Sequence, residues 1–226
     1  MSRLSTSRIY DFYGGFYDVF EVFFQRRIGR ALGRIPFQQG DRVLDVGVGT
    51  GFSLRHYPEY VHVTGIDNST RMLASADRKV RDGLVQAPTR LIKADALDLP
   101  FPNGKFDVVV LSHVIATVAD PVQCLTEALR VTREHGILLL VNHFQSTTRI
   151  LRRLERWCDP LCRKLGWRND LALADLLSRG GVINPHDPAV AQSRVFQVVY
   201  LQKSNDAARV ITLPEPATMS PTLNPA

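Results

Sequence analysis

The sequence predicts an α/β domain built on a mostly parallel sheet with helices on both faces. Two observations lead there. Three short runs rich in Val, Ile and Leu, at 42–47, 106–112 and 136–144, are largely continuous, as strands buried on both sides require, and a fourth strand-like run lies at 61–67. A fifth run, 89–95, completes the series, and helix-period stretches alternate with these runs. The 226-residue length suits one domain with a substantial core.

The elements follow in order. Residues 9–34 read as helical and aromatic: Tyr10, Phe12, Tyr13, Phe16, Tyr17, Phe20, Phe23 and Phe24 crowd together, with Gly14-Gly15 as a break. RVLDVG opens the sheet, and VHVTGID supplies the second strand. Asn68 and Ser69 signal the start of a helix that carries Met72, Leu73 and Ala76 on one side. TRLIKAD is the third strand and FDVVVLS the fourth. Asp120 and Pro121 start the next helix, and Gly136 is expected to stop it before GILLLVNHF, the fifth strand. VFQVVYLQK (195–203) reads as a later strand, antiparallel at that end of the sheet. The stretch 205–226 reads as a disordered, proline-rich tail. The expected organisation is a helical lid over 1–40, a core over 41–204 with a basic amphipathic insertion at 146–170, and that tail.

Charge and cysteine content narrow the function. The net charge of +6 is concentrated in two segments. Residues 1–34 carry Arg3, Arg8, Arg26, Arg27, Arg30 and Arg34 against three acids. Residues 149–168 carry six arginines and Lys164 against Glu155 and Asp159, which leaves the remainder slightly acidic. Such clustering points to an anionic partner. No run is long and apolar enough to cross a bilayer, and the first residues lack a secretory pattern. Cys124, Cys158 and Cys162 form neither a disulfide nor a zinc pattern, so no metal is expected and a reducing cytoplasm is.

The chemistry centres on RVLDVGVGTG. Its spacing, Asp45-x-Gly47-x-Gly49-x-Gly51, differs from the G-x-G-x-x-G that seats a pyrophosphate. A carboxylate at Asp45 would repel pyrophosphate and attract an ammonium group. Asp67 ends the second strand, where it can accept from both ribose hydroxyls, and Asp95 ends the third, where it can accept from an adenine amine. The ligand implied is a nucleoside joined to an amino acid.

These residues, with GIDNS and KADALDLPFPNGKFDVVV, resemble the class I S-adenosylmethionine-dependent methyltransferases over 42–144. The resemblance implies a Rossmann-like, seven-stranded, mostly parallel sheet. It implies S-adenosylmethionine as cofactor and S-adenosylhomocysteine as product, with the protein chiefly aligning the nucleophile. Carried over to this chain, it puts Asp45, Gly47, Gly49 and Gly51 along the cofactor, with Asp67 and Asn68 at the ribose. Met72, Asp95 and Ala96 would lie at the adenine, and Ser112 and His113 would face the methyl group. The absence of an Asn/Asp-Pro-Pro-aromatic signature after the fourth strand argues against DNA amines as acceptors.

Further stretches resemble the soluble bacterial phosphatidylethanolamine N-methyltransferases: YDFYGGFYDVFEVFFQRRIGRAL, HVIATVADP, VNHF and LGWRNDL. That implies successive methylation of phosphatidylethanolamine toward phosphatidylcholine, by a monomer docked on the inner face of an anionic membrane through 9–34 and 149–168. His113 and His143 are then candidate bases. Tyr13 and Tyr17 are candidates to hold the cationic head group by cation–π contact and close the crevice, with Tyr17 on the cofactor side. Arg152 and Arg168 are candidates for the lipid phosphate. A quinone-biosynthesis methyltransferase is the main alternative, and a non-catalytic nucleic-acid-binding protein of the same fold a remote one.

Overall fold

A computed structural model describes residues 27–143, 172–183, 196–205 and 207–214, with the side chains of His143 and Phe196 outside that description. After a helical segment at 27–32 come β1 (Arg42–Val46), a 3-10 turn (Ser53–His56), β2 (His62–Asp67), α1 (Thr70–Arg81), β3 (Thr89–Lys93) and β4 (Phe106–Ser112). Next are α2 (Pro121–Val131), β5 (Thr132–His143), α3 (Leu173–Arg179), β6 (Val182–Ile183), β7 (Phe196–Ser204) and β8 (Ala207–Ile211).

The sheet order is β3-β2-β1-β4-β5-β7-β8-β6. The first five strands run parallel, and β7 lies antiparallel to both β5 and β8. The unbroken apolar strands face two cores, as their composition predicts. Leu44, Val46, Ile66, Val109, Leu111, Leu138 and Leu140 pack toward α2 and α3. Val43, Val63, Val108, Val110, Leu139 and Val141 pack toward α1, Tyr57 and the 27–32 segment. Tyr200 crosses that second core and donates its hydroxyl to the Ala31 carbonyl, 2.9 Å away.

Three expectations are corrected. The sheet has eight strands, not seven. Residues 207–211, assigned to the tail, form β8. Asn205, at φ 52, supplies the left-handed residue that the hairpin turn needs, and its N–H donates to Glu134 Oε1. Finally, α2 ends at Val131, well before Gly136. Thr132 turns extended, and Lys203 reaches from β7 to donate to the Leu129 and Thr132 carbonyls, each 2.8 Å away. Those contacts satisfy carbonyls that another helical turn would otherwise have used. Gly136 instead lies within β5, where a Cβ would stand 2.9 Å from the Asp107 carbonyl oxygen. Residues 215–226 lie outside the described residues.

Helix starts are read correctly. Ser69 caps α1, its hydroxyl accepting from the Met72 N–H, and the Asp120 carboxylate accepts from the N–H groups of Val122 and Gln123. Cys124 is a buried apolar residue of α2, its thiol pushed up to about 12 chiefly by burial.

Candidate active site

Strand order reverses between β1 and β4, and in an open parallel sheet the crevice beyond the strand ends at such a point is where ligands sit. The turn after β1 forms one wall. Gly47 has φ 67, and a Cβ there would overlap Val114 Cγ2 at 1.8 Å, so the residue after β1 touches the segment after β4. Gly51, at φ 82, lets Ala76 of α1 and Leu54 close on the turn to 3.0 Å of where a Cβ would be. Gly49, at φ 54, would bring a Cβ no nearer than ordinary contact, 3.9 Å from the Gly47 carbonyl oxygen.

Asp67, at the end of β2, organises this turn. One carboxylate oxygen accepts from the Gly49 N–H at 3.0 Å, and the other from the Ser69 N–H at 2.8 Å. Each oxygen keeps a lone pair for a further donor. Beside it, the chain after β3 folds Asp95 into a local turn, its Oδ1 accepting from the Leu97 N–H at 2.9 Å. Asp95 is exposed, Ala96 half-buried, Met72 half-buried and Asn68 exposed. The β1–β2–β3 register therefore sets Asp45, Asp67 and Asp95 in order along one edge.

Asp45 differs from the other two. It is 1% exposed and accepts from the Tyr57 hydroxyl at 2.9 Å and from the Ser53 hydroxyl. Burial pushes its carboxyl up to about 6; the two hydroxyls pull it down, and the charge of Asp67 pushes it further up. No cation is among these influences, and a cationic ligand would relieve them. This set of acceptors fits a nucleoside with a positively charged tail, with carboxylates for an ammonium, a diol and an amine. Neither Tyr57 nor Ser53 is marked by a sequence pattern; an acid ending an apolar strand is, and it is buried here only because the 3-10 turn folds back under it.

On the far side of the switch point, Ser112 ends β4 half-buried and paired with Val141. His113 follows at φ 59, its N–H donating to the Val141 carbonyl at 2.8 Å. A non-glycine residue in the left-handed region stores strain, which is found disproportionately at functional sites. The His143 backbone pairs with Phe196. Tyr13, Tyr17, Arg152 and Arg168 lie outside the described residues. No helix among the described residues is long and apolar enough to cross a membrane.

Comparisons with known proteins agree with this geometry. A family model described as a methyltransferase domain matches residues 44–140. A phosphatidylethanolamine N-methyltransferase of Cereibacter sphaeroides is 40% identical over 135 residues, covering 60% of this chain and 66% of that one. A demethylmenaquinone methyltransferase of Renibacterium salmoninarum is 35% identical over 124 residues, 54% of this chain and 48% of the other. The matched stretch is thus under two thirds of either relative's length. Among solved structures, phosphoethanolamine N-methyltransferase 2 of Haemonchus contortus in complex with S-adenosyl-L-methionine superposes with a TM-score of 0.57 at 22% identity, over 69% of this chain and 35% of that one. At that identity the likeness is one of fold. Residues 44–140 thus match a methyltransferase domain, and the sheet that carries them shares its fold with a solved methyltransferase in complex with S-adenosyl-L-methionine.

Proposed function

We propose that this protein is an S-adenosylmethionine-dependent N-methyltransferase that acts on phosphatidylethanolamine and its mono- and dimethyl derivatives at a membrane surface. The carrying observation is the 40% identity to a phosphatidylethanolamine N-methyltransferase, against 35% over a shorter stretch for the quinone-pathway relative.

When bound, the cofactor supplies an electrophilic methyl group. The chain's own residues bind and orient. Asp67 keeps the glycine turn closed and offers its remaining lone pairs to the ribose, and Asp95 offers its free oxygen to the adenine amine. Asp45, ionised at neutral pH, holds negative charge beneath the amino-acid end. An ethanolammonium acceptor must lose a proton before it has a lone pair to attack with. His113, held at the crevice by its backbone bond to Val141, is the proposed base, and His143 at the end of β5 is the second candidate. Tyr13, Arg152 and Arg168 are proposed for the head group and its phosphate. The basic segments 9–34 and 149–168 are proposed to dock on anionic lipid; each arginine near such a surface adds about 1 kcal/mol.

The test is incubation with radiolabelled S-adenosylmethionine and vesicles of phosphatidylethanolamine, with or without anionic lipid, with demethylmenaquinone as a parallel acceptor. Label in methylated phospholipids is expected, more of it with anionic lipid present. Label only in the quinone, from protein that binds the cofactor, would transfer the assignment to quinone biosynthesis.

A further inference from the structure

One face of α2 grips the loop that follows β3. Gln123 Nε2 donates to the Leu97 carbonyl at 3.2 Å. One turn later Glu127, only 8% exposed, accepts from the Leu99 N–H at 2.8 Å. Arg130 then uses all five of its N–H groups. Nε and one Nη2 hydrogen go to the two oxygens of Glu127, at 2.7 and 2.8 Å. The other Nη2 hydrogen goes to the Leu99 carbonyl at 2.9 Å, and the Nη1 pair to the Phe101 carbonyl at 2.7 Å and Asn103 Oδ1 at 2.9 Å. The spacing 123, 127, 130 puts the three side chains on one stripe of the helix.

The gripped loop begins at Asp95, whose carboxylate is tied to the N–H of Leu97, the residue that Gln123 holds by its carbonyl. We propose that Gln123, Glu127 and Arg130 are positioning residues for adenine recognition: they act through the 95–103 loop to hold Asp95 and Ala96 against the base. This rests on the cofactor reading above and not on the choice of acceptor. A helix needs no such device merely to pack. Apolar Leu125, Ala128 and Val131 already bury α2, whereas four backbone or side-chain groups of one loop converge on the two charged residues Glu127 and Arg130. Arg130→Lys is the informative change, because an ammonium retains the charge and the attraction to Glu127 but has no fork to span Leu99, Phe101 and Asn103.

The experiment is calorimetric binding of S-adenosylhomocysteine and of its hypoxanthine counterpart, S-inosylhomocysteine, with melting temperatures measured alongside. The wild type is expected to prefer the adenine ligand. Arg130→Lys should bind S-adenosylhomocysteine about tenfold more weakly while its affinity for the inosine analogue changes little, so that discrimination collapses. Gln123→Ala, at an exposed position that does not threaten the fold, should show a smaller loss in the same direction. Unchanged discrimination in the folded variants overturns the clamp, as does an equal loss for both ligands, which is what loosened packing gives. A wild type that binds neither ligand overturns the cofactor reading, and the clamp with it.

Discussion

Asp45 is the residue on which charge and cofactor affinity meet. Its carboxyl stands at about 6 against an ordinary 3.8, a difference worth about 3 kcal/mol. A raised carboxyl favours the folded state below 3.8, and that contribution is lost as pH rises through 6. Asp107 and Glu127 act oppositely. The hydrogen bonds of Arg42 to Asp107, and of Arg130 to Glu127, hold those carboxyls below their usual range, so their stabilisation is lost as pH falls. The Asp45 share therefore emerges as a difference: Asp45→Asn should melt higher relative to wild type at pH 7 than at pH 4. Ligand binding has a sign of its own. A cationic cofactor favours the ionised form, so affinity for S-adenosylmethionine should rise as pH increases through about 6, measured by calorimetry. S-Adenosylhomocysteine keeps the same ammonium group and should show a dependence of the same direction. Tyr57→Phe removes a hydrogen bond that holds the carboxylate ionised, and should move the midpoint of the affinity profile to higher pH. A profile that stays in place would separate Tyr57 from the cofactor.

At the scale of elements, the glycine turn makes a graded prediction. Gly47→Ala meets both a positive φ and the Val114 methyl, and should lower unfolding free energy by about 3 kcal/mol. Gly49→Ala meets only the positive φ and should lower it by about 1 kcal/mol. Denaturant midpoints would show the order, and equal losses would contradict it. The same elements show what a sequence can disclose. Strand ends with aspartates, the Ser69 cap and the Asp120-Pro121 start are local features, decided by side chains within a turn of the backbone they serve. The end of α2 is not local, since Lys203 from a distant strand satisfies its carbonyls. Glu127 and Arg130 look like an ordinary helix-surface pair; only the folded loop shows that they face inward. β8 was hidden for another reason: five residues with a single fully buried side chain, Ala208, leave too weak an alternation to outweigh the prolines that follow.

At the scale of the molecule, the sequence gathers its positive charge into residues 1–34 and 149–168, while the ends of β1 and β2 and the turn after β3 carry carboxylates. If the basic segments serve a bilayer, sedimentation with anionic vesicles should fall steeply as salt rises, and neutral vesicles should retain little protein. Stronger retention on RNA than on vesicles would favour a nucleic-acid partner instead. The pairing of His143 with Phe196 has a wider consequence. Positions 143 and 196, which flank residues 144–195, therefore lie side by side in the sheet, while within that interval α3 packs into the core and β6 pairs with β8. The cofactor half, β3-β2-β1-β4, makes none of its strand pairings through that interval. The interval is thus a cassette with matched ends: exchanging it for its counterpart in a demethylmenaquinone methyltransferase should leave S-adenosylhomocysteine affinity intact while acceptor preference follows the donor. In such an architecture, a new acceptor can be matched by exchanging one interval, with the cofactor half left as it was.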